Sequence, residues 1–371
     1  MYQALRPFLF RIDPESSHNF SLKALHRLYN LPKGAQLIEQ LSGGTPKHLP
    51  LKVMGIEFPN PVGLAAGLDK NAEFIEPLSC LGFGWIEVGT VTPLPQSGNP
   101  RPRLFRIANH AAIINRMGFN NCGVQRFVEN IKRLSKACII GANIGKNKET
   151  PLEQAPKDYI LGMTSVYPHV DYVAINISSP NTSGLRALQE KQALNHLLTN
   201  LKESQAHLSH VYKRYVPLAI KIAPDLNEDQ LRQVAITVLE TKIDCIIATN
   251  TTVTRPGVEM SRYAHETGGL SGKPLRTLAT VATRTLYDEL KGQVPIIGVG
   301  GISNGTEAWE RLVAGADLIQ LYTALIYEGP QLAKKIVCDL EKKVRTSGAQ
   351  SLHEALVRAR RERTTGVEQN P

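Results

Sequence analysis

From about residue 61 onward, short apolar runs alternate with amphipathic stretches. The runs are 61-PVGLAAG-67, 84-GWIEVGT-90, 138-CIIGANIG-145, 172-YVAINIS-178, 216-VPLAIKIAP-224, 243-IDCIIATN-250, 295-PIIGVGG-301 and 317-DLIQLYT-323. Each is nearly continuous in apolar residues, as expected of a strand covered on both faces. Between them the spacing predicts helices at about 70–80, 122–135, 153–167, 187–206, 228–240, 275–290, 304–314 and 329–343. Eight strand-helix units in series predict an α/β fold, a closed (β/α)8 TIM barrel, although a doubly wound open sheet uses the same alternation. The polar residues favour the barrel. Lys70, Thr90, Asn143, Asn176, Lys221, Asn250, Gly300 and Thr323 all fall at or just beyond the end of a predicted strand. In a barrel those ends converge on one mouth.

The flanks read differently. Leu5, Phe8 and Leu9, and again Leu22, Leu25, Leu28 and Tyr29, lie at helical spacing, with a break at 12-IDP-14. They predict two short amphipathic helices that must lean on the main domain, a partner or a membrane surface. After a Gly-rich turn at 42-SGGTPK-47, residues 51–61 predict a small hairpin. At the other end, Leu352, Ala355, Leu356 and Ala359 predict one more short helix, followed by a polar tail. The expected organisation is a helical region over 1–45, a barrel over 46–343 and an extension over 344–371.

A length of 371 residues with 42% apolar and 20% charged residues is that of an ordinary globular chain. The formal charge of +10 suits nucleic acid, anionic lipid or an acidic small molecule and chooses none of them. Five widely spaced cysteines without a CxxC pair argue against a disulfide framework, structural zinc or an iron-sulfur cluster, so no metal is expected. No apolar run approaches the roughly 20 residues of a membrane span. The amino terminus lacks a small-residue cleavage site and reads as part of the mature protein.

Several rim segments suggest chemistry. The stretch 298-GVGG-301, the predicted helix start at 303-SNGTEAW-309 and 320-QLYT-323 suit a phosphate, which strands seven and eight of a barrel commonly bind; tight turns would also explain the glycines. The segment 267-TGGLSGKP-274 reads as a long loop over the mouth, where Ser271 and Gly272 offer further amide donors. In 174-AINISSPNTSGLR-186, Asn176 and Asn181 carry donor-acceptor amides suited to an imide or amide-rich ring. Ser179 is a poor base at its ordinary pKa, so abstraction of a proton would need activation or a relay through Thr182 or water, and the residues alone favour a capping role. Lys70 and Lys221 require a counter-charge: an anionic ligand, or ion pairs with Asp69 and Asp225.

The ordered segments NPVGLAAGLDKN, GFGWIEVGTVTP, NRMGFNN, NIGKNK, AINISSPNTSGLR, KIAPDL, ATNTT, TGGLSG and PIIGVGGI together resemble the membrane-associated, quinone-reducing dihydroorotate dehydrogenases, over residues 1 to about 340. The resemblance implies that Lys70, Asn115, Asn176, Asn181, Asn250 and Thr251 surround dihydroorotate, with Arg116, Met117, Gly118 and Phe119 beside them. It implies FMN across the mouth, touched by Ala66, Gly67, Thr90, Asn143, Asn176, Lys221 and Thr249, its phosphate held around Ser271, Gly272, Gly300, Gly301, Tyr322 and Thr323. It further implies Ser179 as base, aided by Thr182 and a water channel near Phe119. Serine marks this branch where soluble relatives carry cysteine. A quinone tunnel would form at His18, Arg106 and Tyr322, between helices seated peripherally on the cytoplasmic side of the inner membrane. The expected partners are dihydroorotate or orotate, ubiquinone or menaquinone and the membrane surface, without nucleic acid or metal, for a monomer. Two rivals remain: an FMN-dependent reductase of uridines in transfer RNA, and a non-catalytic flavin-binding barrel.

Overall fold

The computed structural model describes residues 2–44, 48–135 and 138–367; the expected boundary at 45/46 and the end of the polar tail, 368–371, lie outside the described residues. The strands are β1 (Leu51–Val53), β2 (Ile56–Phe58), β3 (Val62–Leu64), β4 (Trp85–Val91), β5 (Leu104–Ile107), β6 (Ala112–Asn115), β7 (Ile140–Ile144), β8 (Tyr172–Asn176), β9 (Leu218–Ile222), β10 (Cys245–Ala248), β11 (Gly269–Gly272), β12 (Ile296–Val299) and β13 (Leu318–Leu321). The helices are α1 (Tyr2–Arg11), α2 (Pro14–Tyr29), α3 (Gly34–Leu41), α4 (Ile75–Ser79), α5 (Val124–Lys132), α6 (Ala155–Val166), α7 (Lys191–Tyr212), α8 (Glu228–Thr241), α9 (Arg276–Leu290), α10 (Gly305–Val313), α11 (Thr323–Glu328), α12 (Leu332–Thr346) and α13 (Leu352–Val367).

Strands β3, β4, β7, β8, β9, β10, β12 and β13 close a parallel barrel in that order, and they coincide with the eight apolar runs. Their burial is nearly complete because helices cover the outside while side chains fill the inside. The β1–β2 hairpin packs Phe58 edge-on against Trp85 at a centroid distance of 4.8 Å. Trp85 opens β4, so this contact sits at the amino-terminal end of the barrel, away from the mouth.

Local chemistry sets the helix ends. Asn227 and Gln230 form a reciprocal capping box at the start of α8, and Asn304 caps α10 by accepting from the Glu307 amide at 3.0 Å. Helix α4 is shorter than the predicted 70–80 because the Asp69 carboxylate accepts the amides of Glu73 and Phe74, holding that stretch as a turn. A third amino-terminal helix, α3, adds to the two expected.

The main departure is a three-stranded antiparallel sheet, β5-β6-β11, beside the mouth. The segment expected to be a covering loop at 267–274 contains β11, which pairs Gly269 with Asn115 and Gly272 with Ala112. Strands of four residues are too short to show a periodicity, and the partner of β11, β6, lies some 150 residues away. At the far end, α13 buries Leu352, Ala355 and Leu356, while Arg360 donates to the carbonyls of Leu312 and Ala316 at the end of α10. A cation at that position satisfies orphan carbonyls and opposes the helix dipole.

Candidate active site

A cavity of ≈ 380 Å³ opens at the carboxyl ends of the barrel strands. Ala66, Gly67, Lys70, Thr90, Asn115, Met117, Gly118, Phe119, Asn176, Ser179, Asn181, Lys221, Thr249, Asn250, Thr251, Ser271, Gly272, Gly300, Gly301, Tyr322 and Thr323 all line it. Residues spread over more than 250 positions thus share one space, as the rim pattern predicts. Five of the expected residues do not line it. Asn143 lies beneath Thr90, Thr182 is buried within the serine loop, and Arg116 turns outward to pair with Glu266 and stack on Phe105. His18 and Arg106 belong to the seam between the amino-terminal helices and the barrel.

One end of the cavity is a web of amides. Asn176 Nδ2 donates to Thr90 Oγ1 at 2.9 Å, while its Oδ1 accepts from Ser178 Oγ at 3.1 Å and Asn250 Nδ2 at 3.3 Å. Asn181 Nδ2 donates to Asn115 Oδ1 at 3.2 Å. Arg186 ties the two loops together, donating to the Ser178 carbonyl at 3.0 Å, the Thr251 carbonyl at 2.9 Å and Asp225 at 2.8 Å. Asp225 therefore serves Arg186 and not Lys221. Ser179 Oγ accepts the Asn181 amide at 3.2 Å, a turn contact that leaves the hydroxyl hydrogen for another acceptor. The serine is thus both part of the loop turn and on the cavity wall.

Lys70 Nζ donates to the Gly67 carbonyl at 2.7 Å and makes no pair with Asp69. Burial pushes the lysine down to about 8 and pushes Asp69 up to about 6. An anionic ligand would restore the charge that burial disfavours. His18, beside Lys70, is driven down to about 3 by burial and the lysine's charge, so it is a neutral imidazole in the physiological range.

The other end is a cradle for an anion. Gly272 has φ +95°, and a Cβ there would lie 2.2 Å from the Ala111 carbonyl; Gly301 has φ +72°, with Arg276 Cα 2.4 Å from such an atom. Only glycine fits both positions. The buried Arg311 guanidinium donates to the carbonyls of Val299 at 3.1 Å and Gly300 at 2.9 Å, fixing the course of this loop. Thr323 Oγ1 donates to Ser271 Oγ at 2.8 Å, and exposed Lys273 adds a cation to the lining.

Sequence reasoning misses Glu87, Ser178, Lys273, Arg311 and Gln320. Glu87 is fully buried in the centre of β4. A lone carboxylate in the apolar run 84-GWIEVGT-90 is a legible signal, since a buried charge demands partners. Its partners come from three other strands: Asn143 Nδ2 at 2.8 Å, Tyr172 OH at 2.7 Å and Gln320 Nε2 at 2.7 Å, with Lys221 Nζ at 3.8 Å. Gln320 lines the cavity, and its buried Oε1 has no hydrogen-bond partner among the described residues. An acceptor on the cavity wall, a glycine cradle for an anion and a buried ammonium make a donor set that fits FMN.

Fold and site together define a (β/α)8 barrel with one polar cavity at its mouth, amide-lined at one end and glycine-cradled at the other. The family model for dihydroorotate dehydrogenase matches residues 48–344. A dihydroorotate dehydrogenase (quinone) of Vibrio cholerae is 50% identical over 340 residues, spanning 92% of this chain and 100% of that protein, and one of Janthinobacterium is 51% identical over 344 residues, spanning 92% and 98%. Crystal structures of the Eimeria tenella enzyme superpose with TM-scores of 0.83 (ligand-free, 37% identity, covering 97% of this chain and 100% of that one) and 0.79 (with ferulenol, 38%, covering 90% and 97%). The chain belongs to the dihydroorotate dehydrogenase family, in its quinone-dependent branch, and is an oxidoreductase.

Proposed function

We propose that the protein oxidises (S)-dihydroorotate to orotate, a step of pyrimidine biosynthesis, with FMN as resident cofactor and a membrane quinone as final acceptor. The observation that carries this reading is one cavity with the amide web, Lys70 and Ser179 at one end and the glycine cradle at the other. FMN, when bound, supplies the acceptor for the hydride from substrate C6 and the route of electrons onward to quinone.

The chain's own residues do the rest. Asn115, Asn176, Asn181 and Asn250, with Thr251, bind the ring amides and carboxylate, and Lys70 neutralises the carboxylate. The web fixes these amides before substrate arrives, so little reorganisation remains for the reaction. Ser179 takes the C5 proton and passes its own to Thr182 or water, with Phe119 closing the wall. Lys221 offers positive charge where negative charge develops, while Ser271, Gly272, Gly300, Gly301 and Thr323 hold the phosphate.

Quinone access is assigned to the seam of α1 and α2 with the barrel, at His18, Arg106 and Tyr322. Tyr322 OH donates to the Gly67 carbonyl at 3.3 Å, joining the seam to the cavity. Arg106 donates to the carbonyls of Leu9 and Ile12 and lies over the Phe10 ring, tying α1 and the turn after it to the sheet beside the mouth. Leu5, Phe8 and Phe20 are exposed on those helices, and no described helix is long and apolar enough to cross a membrane, which supports peripheral seating; the cytoplasmic side and a monomeric state belong to the proposal alone. Stopped-flow mixing with dihydroorotate, then with a short-chain quinone, tests both half-reactions. Bleaching of the yellow flavin in the first and its recovery in the second are expected. Flavin that stays oxidised in the presence of dihydroorotate supports a non-catalytic barrel instead.

A further inference from the structure

Behind the cavity floor lies a buried carboxylate, Glu87, that the reaction as described does not use, paired with Lys221. Lys221 lines the cavity, is 5% exposed and donates no hydrogen bond to the protein among the described residues. Its one nearby carboxylate is Glu87, at 3.8 Å. Glu87 is 0% exposed and accepts on both oxygens, Oε1 from Asn143 and Oε2 from Tyr172 and Gln320. Acceptance on every side is the pattern of an acceptor-only carboxylate. The layering is ordered: Lys221 and Gln320 face the cavity, while Glu87 and Tyr172 sit behind them.

We propose that Glu87 is a positioning residue acting through Lys221: locked by donors from three other strands, it is the counter-charge that holds the lysine ammonium at the cavity floor with its own donors free for a bound flavin. This rests on the flavin reading above. The physical argument is that a buried ammonium without a hydrogen-bond partner stays in place and charged only if an opposite charge is fixed beside it. Burial lowers the Lys221 pKa, and Glu87 is the group that opposes the fall. A carboxylate free to swing would let the lysine tip choose its own position; three hydrogen bonds from β7, β8 and β13 remove that freedom.

The test is Glu87→Gln, which keeps the shape and removes the charge. Apo-protein titrated with FMN across alkaline pH should lose affinity at lower pH than the wild type does, because without the Glu87 charge Lys221 releases its proton earlier. The midpoint potential of the bound flavin should fall as well. In a Lys221→Met background the same substitution should add no further shift in potential, since a residue acting only through another is silent once that other is gone. An E87Q pH profile parallel to the wild type, or an undiminished E87Q effect in the K221M background, overturns the proposal. If E87Q does not fold, Glu87→Asp reads the same pH shift at smaller size. If neither folds, recovery of folding on adding K221M supports the pair and continued failure overturns it. Wild-type apo-protein that binds no FMN brings down the flavin reading itself, whereas normal wild-type binding with an unaltered E87Q profile removes only the role of Glu87.

Discussion

The barrel mouth and the amino-terminal helices are built on opposite principles. At the mouth, polar side chains are buried and cross-linked, with Asn176, Ser178, Ser179 and Lys221 each under a tenth exposed. On α1 no residue is buried, Phe8 is 64% exposed, and Phe20 on α2 is 60% exposed. α1 is held by a few polar anchors and the Phe10–Tyr327 ring contact, whereas α2 also packs Leu22, Leu25, Leu28 and Tyr29 against the core. Arg6 donates to the Tyr327 carbonyl at 3.0 Å, and Glu15 is gripped by Arg103 at 2.7 Å and Arg101 at 3.0 Å. A rigid, polar pocket suits bond-making that tolerates little displacement. A loosely anchored apolar surface suits contact with lipid.

That contrast yields graded expectations. Ser179→Ala should slow flavin reduction by dihydroorotate about 10²- to 10⁴-fold while orotate affinity stays near the wild-type value, because Asn176 and Asn181 remain. Unchanged single-turnover reduction would take the serine out of the chemistry. Glu15→Ala should cost about 3 kcal/mol in a denaturant titration, since it strands Arg103 at 6% exposure without its carboxylate. Burial raises the Glu15 pKa, but the hydrogen bonds and charge of Arg103 outweigh it and hold the carboxyl below its usual range. The pair's contribution is therefore present above the unfolded carboxyl pKa and lost as pH falls.

A milder change should separate the two regions most cleanly. Replacing Phe8 and Phe20 by Ser should weaken sedimentation with anionic vesicles, by up to about 1.5 kcal/mol per ring, and leave dihydroorotate-driven flavin reduction unaltered. Equal losses in both assays would mean the helices serve folding and not docking. The smallest effect concerns pH. With Lys70 at about 8, orotate binding that relies on its charge should weaken by about tenfold per unit as pH rises beyond that value. A flat affinity in that range, or the same slope in Lys70→Met, would assign the carboxylate to another partner.

Much of this was legible along the chain, for identifiable reasons. Strands covered on both faces must be apolar throughout, so all eight barrel strands stood out, and polar residues at their ends marked the mouth. The β5-β6-β11 sheet did not, because its strands are only four residues long and β11 finds its partner, β6, far away in sequence. Arg116 shared the NRMGFNN segment with true cavity residues yet faces Glu266, since neighbours in a turn point in different directions. Lys70 and Lys221 were seen to need counter-charges, from an anionic ligand or from Asp69 and Asp225, but neither carboxylate forms an ion pair with its lysine, and the pairing of Lys221 with Glu87 was not foreseen.

Apolar periodicity, turn residues and amide-rich strand ends were enough to specify the barrel, its open end and the chemistry gathered there, because each is a local property written in a few consecutive positions. Which carboxylate stands behind Lys221, which loops Arg186 and Arg311 fasten, and that Asn143 lies under the cavity wall and not on it were settled only when distant strands came together. Partner choice inside a closed barrel depends on register and side-chain direction across strands, and no single stretch of chain contains that information.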